Sequence, residues 1–406
     1  LLSIGSSASS KLVLSDLLKV YLEKRQLQVV LIATPEQWQV MQEKDRRFSN
    51  LFQVLRVPEA TEEEAFRMMI AYQRRLEEQS GCVFMMEALL QLQDLRRGFY
   101  RSQALPGSLI RMLDQIAAKH KSGVIRAAQV QEEFSQRSGL QEWAYDSAWQ
   151  IQPGEVEDML SEQLVGQPEA VNALADVIHR VKARLARPGK PIASFLFAGP
   201  TGMGKTQAAK VLSRFMLGGE DRLLRFDMNE FVDAEAVYRL IGTEQTEGQL
   251  TAPMRHQSFA VILLDEIEKA HPLVHDLMLQ LLDDARLTDG RGRTTDFSQS
   301  VIIMTSNLGA AEAGSHLGFG KRRKEELALV YQRAVERNFR PELVNRIDRI
   351  VPFRVLEKED FLRIGRIQIK ELLRRDGFVR RTTMLSISGQ ALEWVAGRAY
   401  DPSMGG

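Results

Sequence analysis

The sequence predicts an α/β protein whose larger part is a parallel sheet covered by helices on both faces. Three observations carry this expectation. From residue 155 onward, short apolar runs alternate with stretches of helical spacing, which is how a parallel sheet buried on both sides reads. One run, Ser194-Phe195-Leu196-Phe197-Ala198, passes into the glycine-rich stretch Gly199-Pro200-Thr201-Gly202-Met203-Gly204-Lys205-Thr206, and a helical pattern from Gln207 to Met216 follows. The polar residues Asp265, Glu266 and Asn307 stand at the ends of two further runs, where parallel sheets place their ligands.

In chain order, Leu12 to Leu22 has helical spacing and Leu27 to Ala33 is a short buried-strand pattern. A second β-like run, Phe52 to Val57, ends at Pro58. Residues 59–120 are charged and helix-rich, with a break at Leu105-Pro106-Gly107. A polar linker with weak β character covers 121–153 and closes at Pro153-Gly154. A helix over 168–186 then leads into strand 194–198, the glycine-rich loop and a helix over 205–216. Strands are expected at 223–227, 260–264 and 300–305, with a last candidate at 347–353. Low-complexity tracts and sustained heptads are absent from the sequence.

A chain of 406 residues predicts two or three domains and a sizeable core. Its 54 Lys and Arg against 53 Asp and Glu leave a net charge of +1, so no global basic field recruits nucleic acid or an anionic membrane. The single cysteine, Cys82, rules out an internal disulfide and suggests a reducing, cytoplasmic setting. No apolar run reaches the ~18 residues of a membrane span. The chain does not begin with Met and reads as a piece of a longer protein.

Residues Gly199 to Thr206 spell G-x-x-x-x-G-K-T between a strand and a helix, the context of a P-loop. The glycines let successive N–H groups form a nest for phosphates at the positive end of the following helix. Lys205 is expected to reach the β- and γ-phosphates and Thr206 to hold Mg²⁺. By chance alone the pattern arises in about one chain in a hundred of this length. Asp265, after its apolar strand, is expected to hold Mg²⁺ through water, and Glu266 to polarise the attacking water. Either acid alone also suits a helix N-terminus, but the pair ending a strand downstream of a P-loop favours the catalytic reading. Asn307 is expected at the γ-phosphate or the attacking water, with a plain turn residue in Ser306-Asn307-Leu308-Gly309 as the alternative.

Longer motifs surround these residues. Leu164-Val165-Gly166-Gln167, the P-loop, Leu264 to His271 (LDEIEKAH), Leu287 to Thr294 (LTDGRGRT), Val301 to Gly309 (VIIMTSNLG) and Phe339 to Asp348 (FRPELVNRID) resemble the second ATPase module of the Clp AAA+ ATPases. This is the two-module class that includes ClpA, ClpB and ClpC. The resemblance covers 155–406 most closely; residues 1–150 are similar to the later part of the first module with its small helical domain. It implies an α/β fold of AAA+ P-loop modules with helical small domains. The expected divisions are 1–57 for the end of a degenerate first large domain, 58–120 for its small domain and 121–154 for a linker. The second large domain would occupy 155–352, and a truncated small domain 353–406. The resemblance further implies ATP and Mg²⁺ as ligands, a homo-hexameric ring, and protein substrates threaded through its pore. Val165 and Gly166 would line the adenine pocket. Asn307 would be sensor 1, and Arg346 the arginine finger reaching the neighbour's γ-phosphate; the alternative for Arg346 is a surface arginine near Asp348.

The chain departs from the family in four places. Ile241-Gly242 is followed by Thr243 to Leu250, shorter than the family's pore loop and without its aromatic residue; the nearest aromatics, Tyr238 and Phe259, read as helical and strand-flanking. In the first module, Asn50-Leu51-Phe52 aligns where the family has finger arginines, unless Arg46-Arg47-Phe48 supplies them, so that ring is expected to be silent. The coiled-coil middle domain of ClpB is missing, which favours a ClpA-like or ClpC-like partner of a peptidase. Leu317-Gly318-Phe319 is similar to the loop with which such unfoldases dock on ClpP, an ordinary loop beside the charge run Lys321 to Lys324 being the alternative. Finally, Tyr400 to Gly406 resembles the segment just before the sensor 2 arginine, where the chain stops. His271 and His275 read as helix-surface residues rather than zinc ligands, because Pro272 stands where a zincin needs Glu. Trp143, Tyr145 and Trp149 read as anchors that pack the linker on a domain.

The leading functional expectation is an ATP-driven protein unfoldase, possibly feeding a peptidase. The competing one is a nucleotide-dependent binding or assembly module that remodels one partner without threading. A nucleic-acid motor has only the P-loop in its favour.

Overall fold

The computed structural model describes residues 14–100, 103–257, 259–310, 312, 324–373 and 387–399. Leu317, Gly318, Phe319 and the segment from Tyr400 onward lie outside them. The chain forms two units, residues 1–60 and 61–406.

Within the smaller unit, helices run over Leu14–Glu23, Pro35–Lys44 and Arg46–Ser49. Thr34 caps the second through a reciprocal pair with Gln37, and Phe48 is fully buried. The two runs expected as strands here, 27–33 and 52–57, lie in no strand. Ile32 and Leu55 are 97% and 86% exposed. The reason is that a strand exists only as part of a ladder, and the described part of this unit offers no neighbouring strand to complete one.

The larger unit begins with the helices Glu62–Ser80, Met86–Phe99 and Gly107–Lys119, around a small parallel pair of strands, β1 (Cys82–Phe84) and β2 (Gly123–Ile125). The expected linker is a folded element. Besides β2 it contains helices Ala127–Ser138 and Glu142–Tyr145. Its aromatics explain the difference. Trp143 and Tyr145 are buried, Trp143 donates its indole N–H to the Phe215 carbonyl at 3.2 Å, and Tyr145 packs edge-on against Phe134. Trp149 remains exposed.

The centre is a five-stranded parallel sheet in the order β4-β5-β8-β3-β9: β3 (Ala193–Ala198), β4 (Leu223–Asp227), β5 (Ala260–Asp265), β8 (Ser300–Ser306) and β9 (Arg349–Pro352). A short antiparallel hairpin, β6 (Arg286–Thr288) with β7 (Thr294–Asp296), stands outside it. Every residue of β3 and β8 is buried, as a sheet covered on both faces requires. On one face, Leu196, Ile262, Leu264, Ile302 and Met304 pack with helix Pro272–Asp284 and helix Lys324–Asn338. The alternate residues Val261, Leu263, Val301 and Ile303 are equally buried on the other side, towards helices Pro168–Lys182 and Lys205–Leu217. All five strands are parallel, so their carboxyl ends share one edge. That edge carries Asp265, Glu266 and Asn307.

Candidate active site

The loop Gly199 to Gly204 joins β3 to the helix that begins at Lys205. Gly199 permits a close approach: a Cβ there would stand 2.7 Å from the Phe353 carbonyl oxygen on the segment after β9. The loop is also held by Gln167, which is buried. Its amide donates to the Met203 carbonyl at 3.0 Å and to the Arg354 carbonyl at 2.9 Å, and it accepts from the Arg354 N–H at 3.0 Å. The loop is thereby set before any ligand arrives, over a helix N-terminus whose free N–H groups favour anions.

Lys205 is buried, and its ammonium donates to the carbonyls of Gly199 (2.6 Å) and Pro200 (2.8 Å) and to Asn307 Oδ1 (2.8 Å). Burial pulls it down to about 8, while Glu268, Asp265 and Glu266 pull the other way. Asp265 ends β5 with both carboxylate oxygens engaged. Oδ1 accepts from the Thr305 hydroxyl at 2.6 Å, and Oδ2 from Thr206 at 3.3 Å and Arg225 at 2.8 Å. Glu266 takes a left-handed backbone, φ 57°, a conformation that costs a non-glycine residue about 1–2 kcal/mol. Its carboxylate accepts from Asn229 Nδ2 at 2.9 Å and from Asn307 Nδ2 at 3.1 Å. Asn307 therefore joins the lysine of the P-loop to the second acid of the strand end. It also bonds Thr201 Oγ1 at 3.3 Å, and its N–H donates to Glu268 at 2.9 Å.

These side chains line one open cleft, with Thr201, Gly202, Gly204, Lys205 and Thr206 on one wall and Asp265, Glu266, Thr305 and Asn307 on the other. Arg225 and Asp227 complete it from β4. Val165 and Gly166 do not line this cleft. They form the turn beside Gln167, where Val165 is buried and a Cβ on Gly166 would meet Asp360 Oδ2 at 2.8 Å. Arg346 is not among the residues brought together either. It pairs with Asp283 and donates to the Glu342 carbonyl at 2.9 Å. Asp348, two residues on, binds Arg187 and the Ser194 N–H.

Five of the site residues named above were not singled out from the sequence. Arg225, Asp227 and Asn229 come from β4 and the turn after it, Thr305 from β8, and Glu268 from the turn after β5. The strand register brings them in, with Asp227 opposite Asp265 and Arg225 opposite Leu263. The sequence places the strands of the central sheet but not their neighbours.

The chain matches the AAA domain family (Cdc48 subfamily) over residues 190–350. ClpE of Bacillus subtilis, an "ATP-dependent Clp protease ATP-binding subunit", is 30% identical across 99% of this chain and 66% of its own length. The chaperone protein ClpB 2 of Nostoc sp. is 44% identical over 62% of this chain and 29% of its own. Among solved structures, the Saccharomyces cerevisiae Hsp104–ADP complex superposes with a TM-score of 0.78 at 32% identity, covering 96% of this chain and 69% of that one. A closed-state Hsp104 with ATPγS and FITC casein gives 0.74 at 30%, covering 100% and 71%. The chain belongs to the Clp-type AAA+ ATPases. Nucleotide binding goes with membership of these ATPases. The match to the curated relatives spans from 29% to 66% of their length.

Two of the departures can be followed in the Clp-type chain. Gly242 to Gly248 is a tight polar turn. Thr243 and Thr246 bond each other at 2.8 Å, and Arg291 donates to the Glu244 carbonyl at 2.8 Å and the Gln245 carbonyl at 3.2 Å. Tyr238 is exposed on helix Ala236–Ile241, whereas Phe259 is buried against Phe99. Arg46 and Arg47 lie exposed on the helix that buries Phe48. The two histidines are local: His271 caps helix Pro272–Asp284 through the Leu273 N–H, and His275 bonds the Ile267 carbonyl at 3.0 Å. Among the described residues, no helix is long and apolar enough to cross a membrane.

Proposed function

We propose that this Clp-type chain is an ATP-hydrolysing subunit that uses turnover to unfold or remodel protein substrates in the cytoplasm. The observation that carries the reading is the continuous network Lys205–Asn307–Glu266, which couples the phosphate cradle to the acid that would take a proton from water. The P-loop amides and Lys205 orient the triphosphate, and Asn307 reports its presence by exchanging its lysine bond. Val165 and Gly166 would sit beside the base. Mg²⁺ fits the donors present: the Thr206 hydroxyl and the Asp265 carboxylate face each other at 3.3 Å, and Mg²⁺ ordinarily takes one or two protein ligands with waters and phosphates. When bound it would neutralise charge developing on the phosphates.

Arg346, which pairs with Asp283 outside its own cleft, would act on a neighbouring subunit's nucleotide in a homo-hexameric ring, the assembly proposed with this reading. The division into the end of a first module (1–57), its small domain (58–120), a joining segment (121–154), a second large domain (155–352) and its small domain (353–406) belongs to the same proposal. A ClpP-like peptidase docked at Leu317-Gly318-Phe319 is the finer partner proposal, supported by the description of ClpE as a protease subunit and not by that of ClpB as a chaperone. The alternative, remodelling without threading, is favoured by the tight polar turn at Thr243 to Glu247, which offers no aromatic grip. The test is Glu266→Gln: it should bind fluorescent ATP as well as the parent and release phosphate at least 10²-fold more slowly, as loss of a general base predicts. Unchanged turnover would remove Glu266 from its role.

A further inference from the structure

We propose that Arg225 is the resident counter-ion of the metal carboxylate: it occupies the Asp265 oxygen that faces Thr206 and must release it before a divalent cation can be held there. This rests on the reading of the cleft as a nucleotide–Mg²⁺ site.

The position of Arg225 follows from strand register. β4 pairs in parallel with β5, Arg225 opposite Leu263 and Asp227 opposite Asp265. Side chains repeat every two residues along a strand, so Arg225 and Asp227 share a face, and a long side chain one step back reaches Asp265 across the ladder. The two oxygens of Asp265 are used unequally. Oδ1 is taken by the Thr305 hydroxyl alone at 2.6 Å, whereas Oδ2 receives both the guanidinium at 2.8 Å and the Thr206 hydroxyl at 3.3 Å. The oxygen that a water of Mg²⁺ would use, beside Thr206, is therefore the one the arginine holds.

Charge explains why a cation belongs there. The Asp265 side chain is 13% exposed, and a carboxylate so far withdrawn from water is stabilised by a partner. Lys205 acts on that carboxylate through space without bonding it, since its ammonium donates to the oxygens of Gly199, Pro200 and Asn307. Arg225 can leave at little cost. Its side chain is 51% exposed, and β4 is an edge strand, so the guanidinium can swing into water without disturbing the core.

Removing the guanidinium should move two quantities in opposite directions. Without metal, Asp265 would stand uncompensated beside a polyphosphate and weaken its binding. With metal, a competitor for Oδ2 would be gone. The experiment titrates the 406-residue chain with fluorescent ADP, first in EDTA and then across a Mg²⁺ series, for the parent, Arg225→Gln and Arg225→Lys. For Arg225→Gln, the half-saturating Mg²⁺ should fall roughly two- to five-fold, the factor of a half-exposed ion pair, and the affinity in EDTA should fall by a similar factor. Arg225→Lys, which keeps the charge, should stay near the parent on both. A Gln variant whose half-saturating Mg²⁺ is unchanged or higher overturns the proposal, as does a Lys variant shifted as far as the Gln one. Variants that have lost their fold would weaken both measurements together and so fall on the overturning side. A parent that binds no ADP in Mg²⁺ overturns the nucleotide reading and this inference with it. A parent with Mg²⁺-dependent binding beside an unshifted Gln variant overturns the counter-ion alone.

Discussion

Lys205 holds its proton weakly: burial draws the ammonium down to about 8, against the opposing pull of Glu268, Asp265 and Glu266. A polyphosphate beside it would favour the charged form and raise it again. At about pH 8.5 most free sites would then be deprotonated and occupied ones charged, so binding takes up a proton and weakens as pH rises through about 8. The sign for stability is opposite. Between about 8 and 10.5 the unfolded chain binds this proton more tightly, so the destabilising burial of the charge is relieved as pH rises. Calorimetry of ADP binding near pH 8.5 in buffers of different ionisation enthalpy should show proton uptake, and near pH 6.5 should show little. Equal uptake at both would contradict the burial argument. The same residue shows what a motif conveys. G-x-x-x-x-G-K-T names the lysine, but the three oxygens that hold it come from the loop's own fold and from Asn307, just after β8 and 102 positions away.

At the level of elements, several turns place a glycine in the left-handed region, and the space around each decides how much a side chain would cost. Gly166 has φ 76°, and a Cβ there would also meet Asp360 Oδ2 at 2.8 Å and Leu356 Cδ2 at 2.9 Å. Gly189 has nearly the same backbone, φ 73°, with nothing within 4 Å. Gly189→Ala should cost only the left-handed backbone, about 1 kcal/mol, and leave ADP affinity unchanged. Gly166→Ala should cost that plus about 1–3 kcal/mol of overpacking, and should weaken ADP binding by moving the turn that carries Gln167. Thermal melting of the two variants, with an ADP titration of each, checks the ranking; equal losses would mean that the contacts around Gly166 are soft. Strands obey a related rule. Val301 to Thr305 was legible because an apolar run between helices needs burial on both faces. Leu27 to Ala33 reads the same way but forms no ladder, since an apolar run records the capacity for burial and not the presence of a neighbour.

For the whole molecule, the question is where Arg346 acts. It rests on Asp283 and the Glu342 carbonyl of its own chain, away from the Lys205 cleft, so a role in hydrolysis requires a second subunit. Arg346→Ala should keep ADP binding and lose ATP turnover by a factor on the order of 10³. Mixing it with Lys205→Ala, itself inactive through its own cleft, should restore part of the turnover, because some interfaces then pair an intact cradle with an intact finger. Mixtures as inactive as either variant alone would place Arg346 outside the reaction.

By itself the sequence determined the phosphate loop, the two acids after β5, the asparagine after β8 and the alternation that makes a parallel sheet. Each depends on residues close together in the chain, where backbone geometry and hydrophobic spacing act directly. Strand order and register belonged to tertiary structure alone, and with them the neighbours that complete the site. Arg225 and Asn229 reach Asp265 and Glu266 only because β4 lies beside β5, and Gln167 reaches Met203 and Arg354 only because the segment after β9 folds under the loop. The physical reason is that contacts between distant segments are selected by the packing of the whole sheet and its helices, and no local pattern of residues encodes which strands will be neighbours.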